Sequence, residues 1–190
     1  MAERRDLPLF AWGEDLRSAR RRRRKLARRA AFVALGCACV LTTTIAPPRP
    51  QLVWNASASA PLGLYRVTPG VPLHRGDMVI ARTPLSVRAL AASRHYLPAN
   101  VPLVKRVAGV PGDLVCAAGR TITVNGRVLA TRRASDRLGR PLPWWNGCRT
   151  LRDGALLLLM AGTPDSFDGR YFGPTEATDV VGKATALWLR

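Results

Sequence analysis

The sequence predicts a mainly β, antiparallel domain with one short helix, carried behind an N-terminal helix that enters a membrane. Three observations lead there. A basic run passes directly into an uncharged apolar stretch, which two prolines close. Beyond Pro50 the helical period nearly vanishes and short β-prone runs bounded by turn residues replace it. The 190 residues leave room for one domain of about 100–150 residues plus a tail.

The tail comes first. Residues 1–29 hold 11 basic and 4 acidic side chains, concentrated in Arg20 to Lys25 with Arg28 and Arg29. The 17 residues from Ala30 to Ala46 carry no charge, and at about 1.5 Å per residue they come near the lower limit for crossing a hydrocarbon core of about 30 Å. This pattern reads as a signal peptide or a signal anchor, ended by Pro47 and Pro48. Basic flanks stay in the cytoplasm, so residues 50–190 are expected on the far side, the periplasm of a Gram-negative cell. The expected organisation is therefore a basic n-region (1–29), an inner-membrane segment (30–46) and an exported domain (50–190).

Composition narrows the function. A hydrophobic fraction of 47% with 22% charged residues excludes wholesale disorder. The net charge of +18 is spread thinly beyond residue 49, as on a solvated basic surface, so no nucleic acid is expected as a partner. Four cysteines without a CxxC pair exclude a zinc ribbon or a thioredoxin-type site, and no metal or cofactor is expected.

Within the domain, Gly76 to Arg82 and Val101 to Val107 read as strands. Between them a helix is expected from Pro84 to Tyr96, with Thr83 as its cap, Pro84 in its first turn and Pro98 as its stop. Arg120 to Val124 and Arg127 to Thr131, joined by Asn125-Gly126, predict a two-residue hairpin, because both turn positions need positive φ. Residues 132–149, rich in Arg, Pro, Gly and Trp, read as a long surface loop; Ala155 to Met160 and Val180 to Trp188 read as further strands. Cys37 and Cys39 lie in the apolar segment, leaving Cys116, at the end of the strand after Asp113, and Cys148, closing the loop, on the exported side. An oxidising compartment permits a bridge between them, worth about 3–4 kcal/mol for a loop of about 32 residues; two buried free thiols are the alternative.

Three segments carry chemistry. In Ser57-Ala-Ser59-Ala-Pro61-Leu-Gly63-Leu-Tyr65, a serine stands before Pro-x-Gly, where a turn lets its hydroxyl and its amide face a cleft. In Val104-Lys105-Arg106-Val-Ala-Gly109-Val-Pro111-Gly112-Asp113, strand alternation sends Lys105 to the face of Val107 and away from Arg106. Burial disfavours the ammonium form, and a neutral amine is a general base. In Asp165-Ser166-Phe-Asp168-Gly-Arg170, spacing of two allows Asp168 and Arg170 to pair.

Together these segments resemble the boxes of the type I signal peptidase family, membrane-bound serine proteases with a Ser–Lys dyad. The Lys105 to Asp113 stretch and Ser166-x-Asp168-x-Arg170 carry the likeness. The Ser59-Ala-Pro-Leu-Gly-Leu-Tyr form and Asp165-Ser-Phe-Asp-Gly-Arg-Tyr-Phe-Gly-Pro look like the TraF-type conjugative transfer peptidases. The resemblance covers about residues 52–188 and implies a signal-peptidase-like β fold. It implies Ser59 as nucleophile and Lys105 as general base. It further implies an oxyanion site from the Ser59 amide and the Ser57 hydroxyl, Ser166 to orient the lysine, and Asp168 and Arg170 to brace that loop. Ser57 is the rival nucleophile, and Asp168 has the alternative of a direct electrostatic role beside Lys105. The implied partner is a precursor protein, pilin-like, cut after a small residue, with water or the precursor's own amine as acyl acceptor. A housekeeping signal peptidase and a non-enzymatic, membrane-anchored assembly protein are the competing readings. His74 and His95 fall outside the boxes and carry no assigned role.

Overall fold

Thirty-eight residues, Pro8–Ile45, form helix α1, which carries the basic run and the apolar stretch on one unbroken rod. In this computed structural model residues 8–45 and 50–190 are described, and the chain divides into two units, 1–49 and 50–190. Ala46, the Pro47-Pro48 stop and residues 1–7 of the n-region lie outside the described residues. Three threonines sit in the apolar stretch without an open polar group. The hydroxyls of Thr42, Thr43 and Thr44 each donate to the carbonyl three residues back at 2.8 Å. Among the described residues α1 is the one helix long and apolar enough to cross a membrane. It is about 57 Å long, so roughly half of it exceeds a hydrocarbon core.

The second unit is built from ten strands in two antiparallel sheets. In chain order they are β1 (Leu52–Asn55), β2 (Gly63–Thr68), β3 (Met78–Ala81), β4 (Leu103–Gly109), β5 (Leu114–Ala118), β6 (Thr121–Val124), β7 (Arg127–Thr131), β8 (Gly147–Thr150), β9 (Leu157–Leu159) and β10 (Val180–Leu189). Helix α2 (Leu85–Ser93) follows β3, and the single turn α3 (Gly169–Phe172) follows β9. The larger sheet runs β1-β2-β10-β3-β4-β9 and the smaller β7-β6-β5-β8. The chain passes from one sheet to the other at Pro111-Gly112-Asp113, where Gly112 takes φ 94°. The buried Asp113 carboxylate holds that corner, accepting from the Val110 amide, Arg75 and Asn125.

The Asn125-Gly126 turn has φ of 50° and 79°, and it sets Val124 opposite Arg127. The leucine run at β9 is buried on both faces. Leu157 and Leu159 pack with Val115 and Ile122 of the smaller sheet, and Leu158 packs with Val79 and Val107 of the larger. A strand with two dry faces needs no polar alternation, which is why this run reads as continuous leucine.

Several expectations are corrected. Thr83 does not cap α2: the N-cap residue is Pro84, with no side-chain cap, while Thr83 is buried and its carbonyl accepts both Nε and Nη2 of Arg88. The helix also stops short of Pro98. His95 enters the left-handed region at φ 57°, and the Tyr96 amide donates back to the Ala91 carbonyl at 2.9 Å, closing the helix without proline. Residues 147–150 are not loop but β8, the edge partner of β5. Cys116 therefore lies in the middle of a strand, directly opposite Cys148, and the two are disulfide-bonded with Cα atoms 4.0 Å apart.

Candidate active site

The nucleophile candidate sits on the connection between β1 and β2, and a single asparagine shapes that connection. Asn55, buried at the end of β1, accepts the Ser57 amide on Oδ1 at 3.1 Å, while its Nδ2 reaches the carbonyls of Ser57, Ala60 and Pro61 at 3.0–3.1 Å. One side chain thus replaces the ladder that ends at Asn55 and forces the turn that presents Ser59. Tyr65 adds a hydrogen bond from its hydroxyl to the Pro61 carbonyl at 2.8 Å. In the sequence Asn55 stands out only by heading an Asn-x-Ser triplet. The useful signal is its short polar side chain two residues ahead of a serine, the pattern of an Asx-turn.

Lys105 comes from the middle of β4. It pairs with Val79 across β3, and its same-face neighbours Leu103 and Val107 are buried with it. Only 3% of the lysine is exposed, while Arg106 points out to solvent. Its Nζ lies 2.7 Å from Ser59 Oγ and 2.9 Å from Ser166 Oγ. Burial pushes its pKa down to about 8; the nearby Asp168 carboxylate pulls it up and the Arg170 guanidinium pushes it further down. An amine poised there changes protonation within the working range of a general base.

The third element runs from the end of β9 into α3. Asp168 caps α3 through the Arg170 amide, accepts the Met160 amide at 2.9 Å, and pairs with the Arg170 guanidinium through both oxygens. The remaining guanidinium donors go to the carbonyls of Thr131, Pro164 and Met160. Asp168 and Arg170 are 0–1% exposed. They lock the backbone that carries Ser166, whose neighbour Phe167 is packed among Tyr96, Tyr171 and Phe172.

Ser57, Ser59, Lys105 and Ser166 thus form one hydrogen-bonded chain, and the Asp168–Arg170 pair stands behind it, acting on Lys105 through its charges. Ser57 Oγ meets Ser59 Oγ at 2.9 Å and lies 3.4 Å from the Ser59 amide, but makes no contact with Lys105. Cys116 and Cys148 belong to the other sheet. The cluster opens into a cleft of about 870 Å³. One wall is the β1–β2 connection together with Leu97, Pro98 and residues 101–105, and the other is drawn from residues 133–142 and 163–167. His95, to which the sequence assigns no role, is exposed and rims this cleft. The 133–142 part of the second wall was invisible in the sequence because its residues belong to no motif and are brought to the site by tertiary contacts alone.

An antiparallel β scaffold buries a lysine 2.7 Å from a turn serine, a pairing that gives a hydroxyl an amine to take its proton. The chain belongs to the signal peptidase family, peptidase S26, whose family model matches residues 23–189. It is similar to two Escherichia coli plasmid transfer proteins TraF. One is 34% identical over 66% of this chain and 76% of its own length; the other is 31% identical over 79% and 90%. A conjugal transfer protein TraF of Agrobacterium fabrum is 33% identical over 70% and 80%. Among solved structures, a signal peptidase I of Enterococcus faecalis covers 60% of this chain and 98% of its own, with TM-score 0.37 and 21% identity.

Proposed function

We propose that the protein is a membrane-anchored serine endopeptidase that processes an exported precursor during conjugative transfer, with Ser59 as nucleophile and Lys105 as its base. The observation that carries this reading is the 2.7 Å contact between Ser59 Oγ and a lysine whose pKa is pushed down to about 8. Neutral Lys105 takes the hydroxyl proton as Ser59 Oγ attacks the scissile carbonyl. The oxyanion that develops is met by the Ser59 amide and the Ser57 hydroxyl. Collapse breaks the C–N bond, Lys105 returns the proton to the leaving amine, and an acyl-enzyme remains. Water then yields a carboxylate, whereas an amine from the precursor's own N-terminus yields a cyclic product. Ser166 holds the lysine amine, and Asp168 with Arg170 braces the loop that carries Ser166.

Conjugation enters from the names of the TraF relatives, and a pilin-like precursor with a small residue before the cut is the substrate this reading favours. The apolar part of α1 would anchor the chain in the bacterial inner membrane, with residues 50–190 in the periplasm. The three chain segments keep separate tasks: basic flank, anchor and peptidase. Ser59 is favoured over Ser57 because it alone of the two touches the lysine.

Co-expression with candidate pilin precursors and intact-mass analysis tests the proposal. Wild-type protein should shorten the precursor, and hydrolysed and cyclised products differ by one water. Ser59→Ala and Lys105→Ala should each abolish processing, and so should Lys105→Arg, since arginine stays protonated. Loss of activity in Ser57→Ala with retention in Ser59→Ala would reassign the nucleophile. Full activity in Lys105→Ala would remove the lysine from the mechanism, and no processing of any precursor by wild-type protein would favour a non-enzymatic assembly role.

A further inference from the structure

The segment 133–142 that walls the cleft is a built arch. Ser135 bridges Pro141, and the Asp136 carboxylate accepts the amides of Leu138 and Arg140, the Arg140 guanidinium and the Tyr96 hydroxyl. Arg133 and Arg137 project from this arch onto one carboxylate. Arg133 Nη1 lies 2.6 Å from Asp165 Oδ1, and Arg137 donates from Nε and Nη2 to Asp165 Oδ2. All three residues line the same cleft as Ser59 and Lys105.

The charges there do not balance. The cleft lining carries Arg133, Arg137, Arg140 and Lys105 against Asp136 and Asp165 alone. Arg140 is matched by Asp136, so two guanidiniums share a single carboxylate. Each guanidinium has five N–H donors, and Asp165 occupies few of them. The arginines are 49% and 79% exposed and both line the cleft, so their remaining donors are open to solvent rather than used in the protein interior.

We propose that Arg133 and Arg137 form a carboxylate-recognition site that selects a precursor with an acidic group close to the scissile bond. This rests on the peptidase reading above and adds the chemistry of the substrate. A carboxylate arriving on this pair makes charge-assisted hydrogen bonds with donors that Asp165 leaves free, and it competes with Asp165 for the rest. The carboxylate is either a Glu or Asp side chain or the precursor's own chain end; both present the same two oxygens.

The test measures binding of labelled extended peptides, small at the cleavage position, to full-length Ser59→Ala protein in detergent. One series is amidated and carries Glu or Gln at successive positions. A second contains no acidic side chain and ends in a free or amidated terminus at successive lengths. At one position or length the acid should bind about tenfold more tightly than its neutral partner, and the preference should fade as salt is raised. Arg133→Gln/Arg137→Gln should bring the ratio to near one. Asp165→Asn, which removes the internal competitor, should enlarge it, a change of sign that damage to the fold would not produce. A ratio within twofold of one throughout, a preference that survives the double substitution, or no binding of any acidic peptide would overturn the proposal. Cleavage of the same peptides by wild-type protein reports separately on the peptidase reading: cutting without charge preference leaves that reading intact, and charge preference without cutting removes it alone.

Discussion

Asp165 and Asp168 stand on either side of the same short segment and both pair with arginine, yet they do opposite jobs. Asp168 and Arg170 are 0–1% exposed and every donor and acceptor between them is used. Asp165 is 32% exposed, and its two arginines are more exposed still. The buried pair is structure: it has already lost its water, so removing one member strands a charge. The exposed set has lost little water, can exchange partners at small cost, and is therefore the one suited to meeting a ligand. Position relative to solvent, rather than residue type, separates the brace from the reader.

The hardest way to break this comparison is Asp168→Ala. It leaves Arg170 buried without a counter-charge, and unfolding in urea should show a loss of about 3–5 kcal/mol. Replacing both members, as in Asp168→Leu with Arg170→Met, should recover much of that loss. If the single variant is as stable as wild type, the pair is not the brace described.

Lys105→Met comes next and has the opposite sign. The descent from the ordinary 10.5 to about 8 corresponds to about 3 kcal/mol, offset in part by the lost contacts to Ser59 and Ser166. The inactive variant should therefore gain about 2 kcal/mol of stability at neutral pH. The pH dependence follows from the same values. Between about pH 8 and 10.5 the unfolded chain holds the lysine proton and the folded chain does not, so wild-type stability rises across that window. Below pH 8 both states are protonated and the full penalty remains. Denaturation curves for the variant should lack that rise, and a parallel rise in both proteins would sink the assignment.

A smaller, sharper effect concerns the activity profile. Wild-type cleavage should climb through an alkaline limb near pH 8 as Lys105 becomes neutral. Asp168→Asn removes the carboxylate that favours the charged amine, so in whatever fraction folds the limb should move to lower pH. A limb that moves upward would contradict the sign of that interaction. Smallest of all, Asp165→Asn and Arg137→Gln should leave the melting temperature within measurement error of wild type, because their side chains stand in solvent.

Local chemistry made part of this legible in advance. The Asn125-Gly126 hairpin depends on two adjacent φ preferences, and the burial of Lys105 depends on the two-residue period of one strand; both are carried by neighbours in the chain. The three boxes marked the residues that converge at the cleft. What escaped was non-local or over-ridden. β8 exists because Cys148 and its neighbours find β5 across 32 residues of separation, which no local pattern announces. Thr83 has the composition of a cap, but its backbone is engaged by Arg88 and the turn at Pro84 leaves its hydroxyl unused for that purpose. Asn55 carried a local Asx-turn signal that its Asn-x-Ser form obscured, whereas the arch took on its role through contacts with distant segments that carry no matching signature.

The feet of that arch are tied where it leaves and rejoins the smaller sheet. Arg132, 1% exposed, reaches from the end of β7 to the Gly119 carbonyl, the Trp145 carbonyl and Asn146 Oδ1, and the disulfide to β5 secures the strand on which the arch lands. A loop whose ends are fixed independently of its tip behaves as a cassette. Its tip can be rewritten by substitution or changed in length while the serine, the lysine and their brace remain in register. On the reading proposed above, a changed tip alters what is recognised and leaves the serine and lysine as they are, and grafting tips between relatives would separate the two.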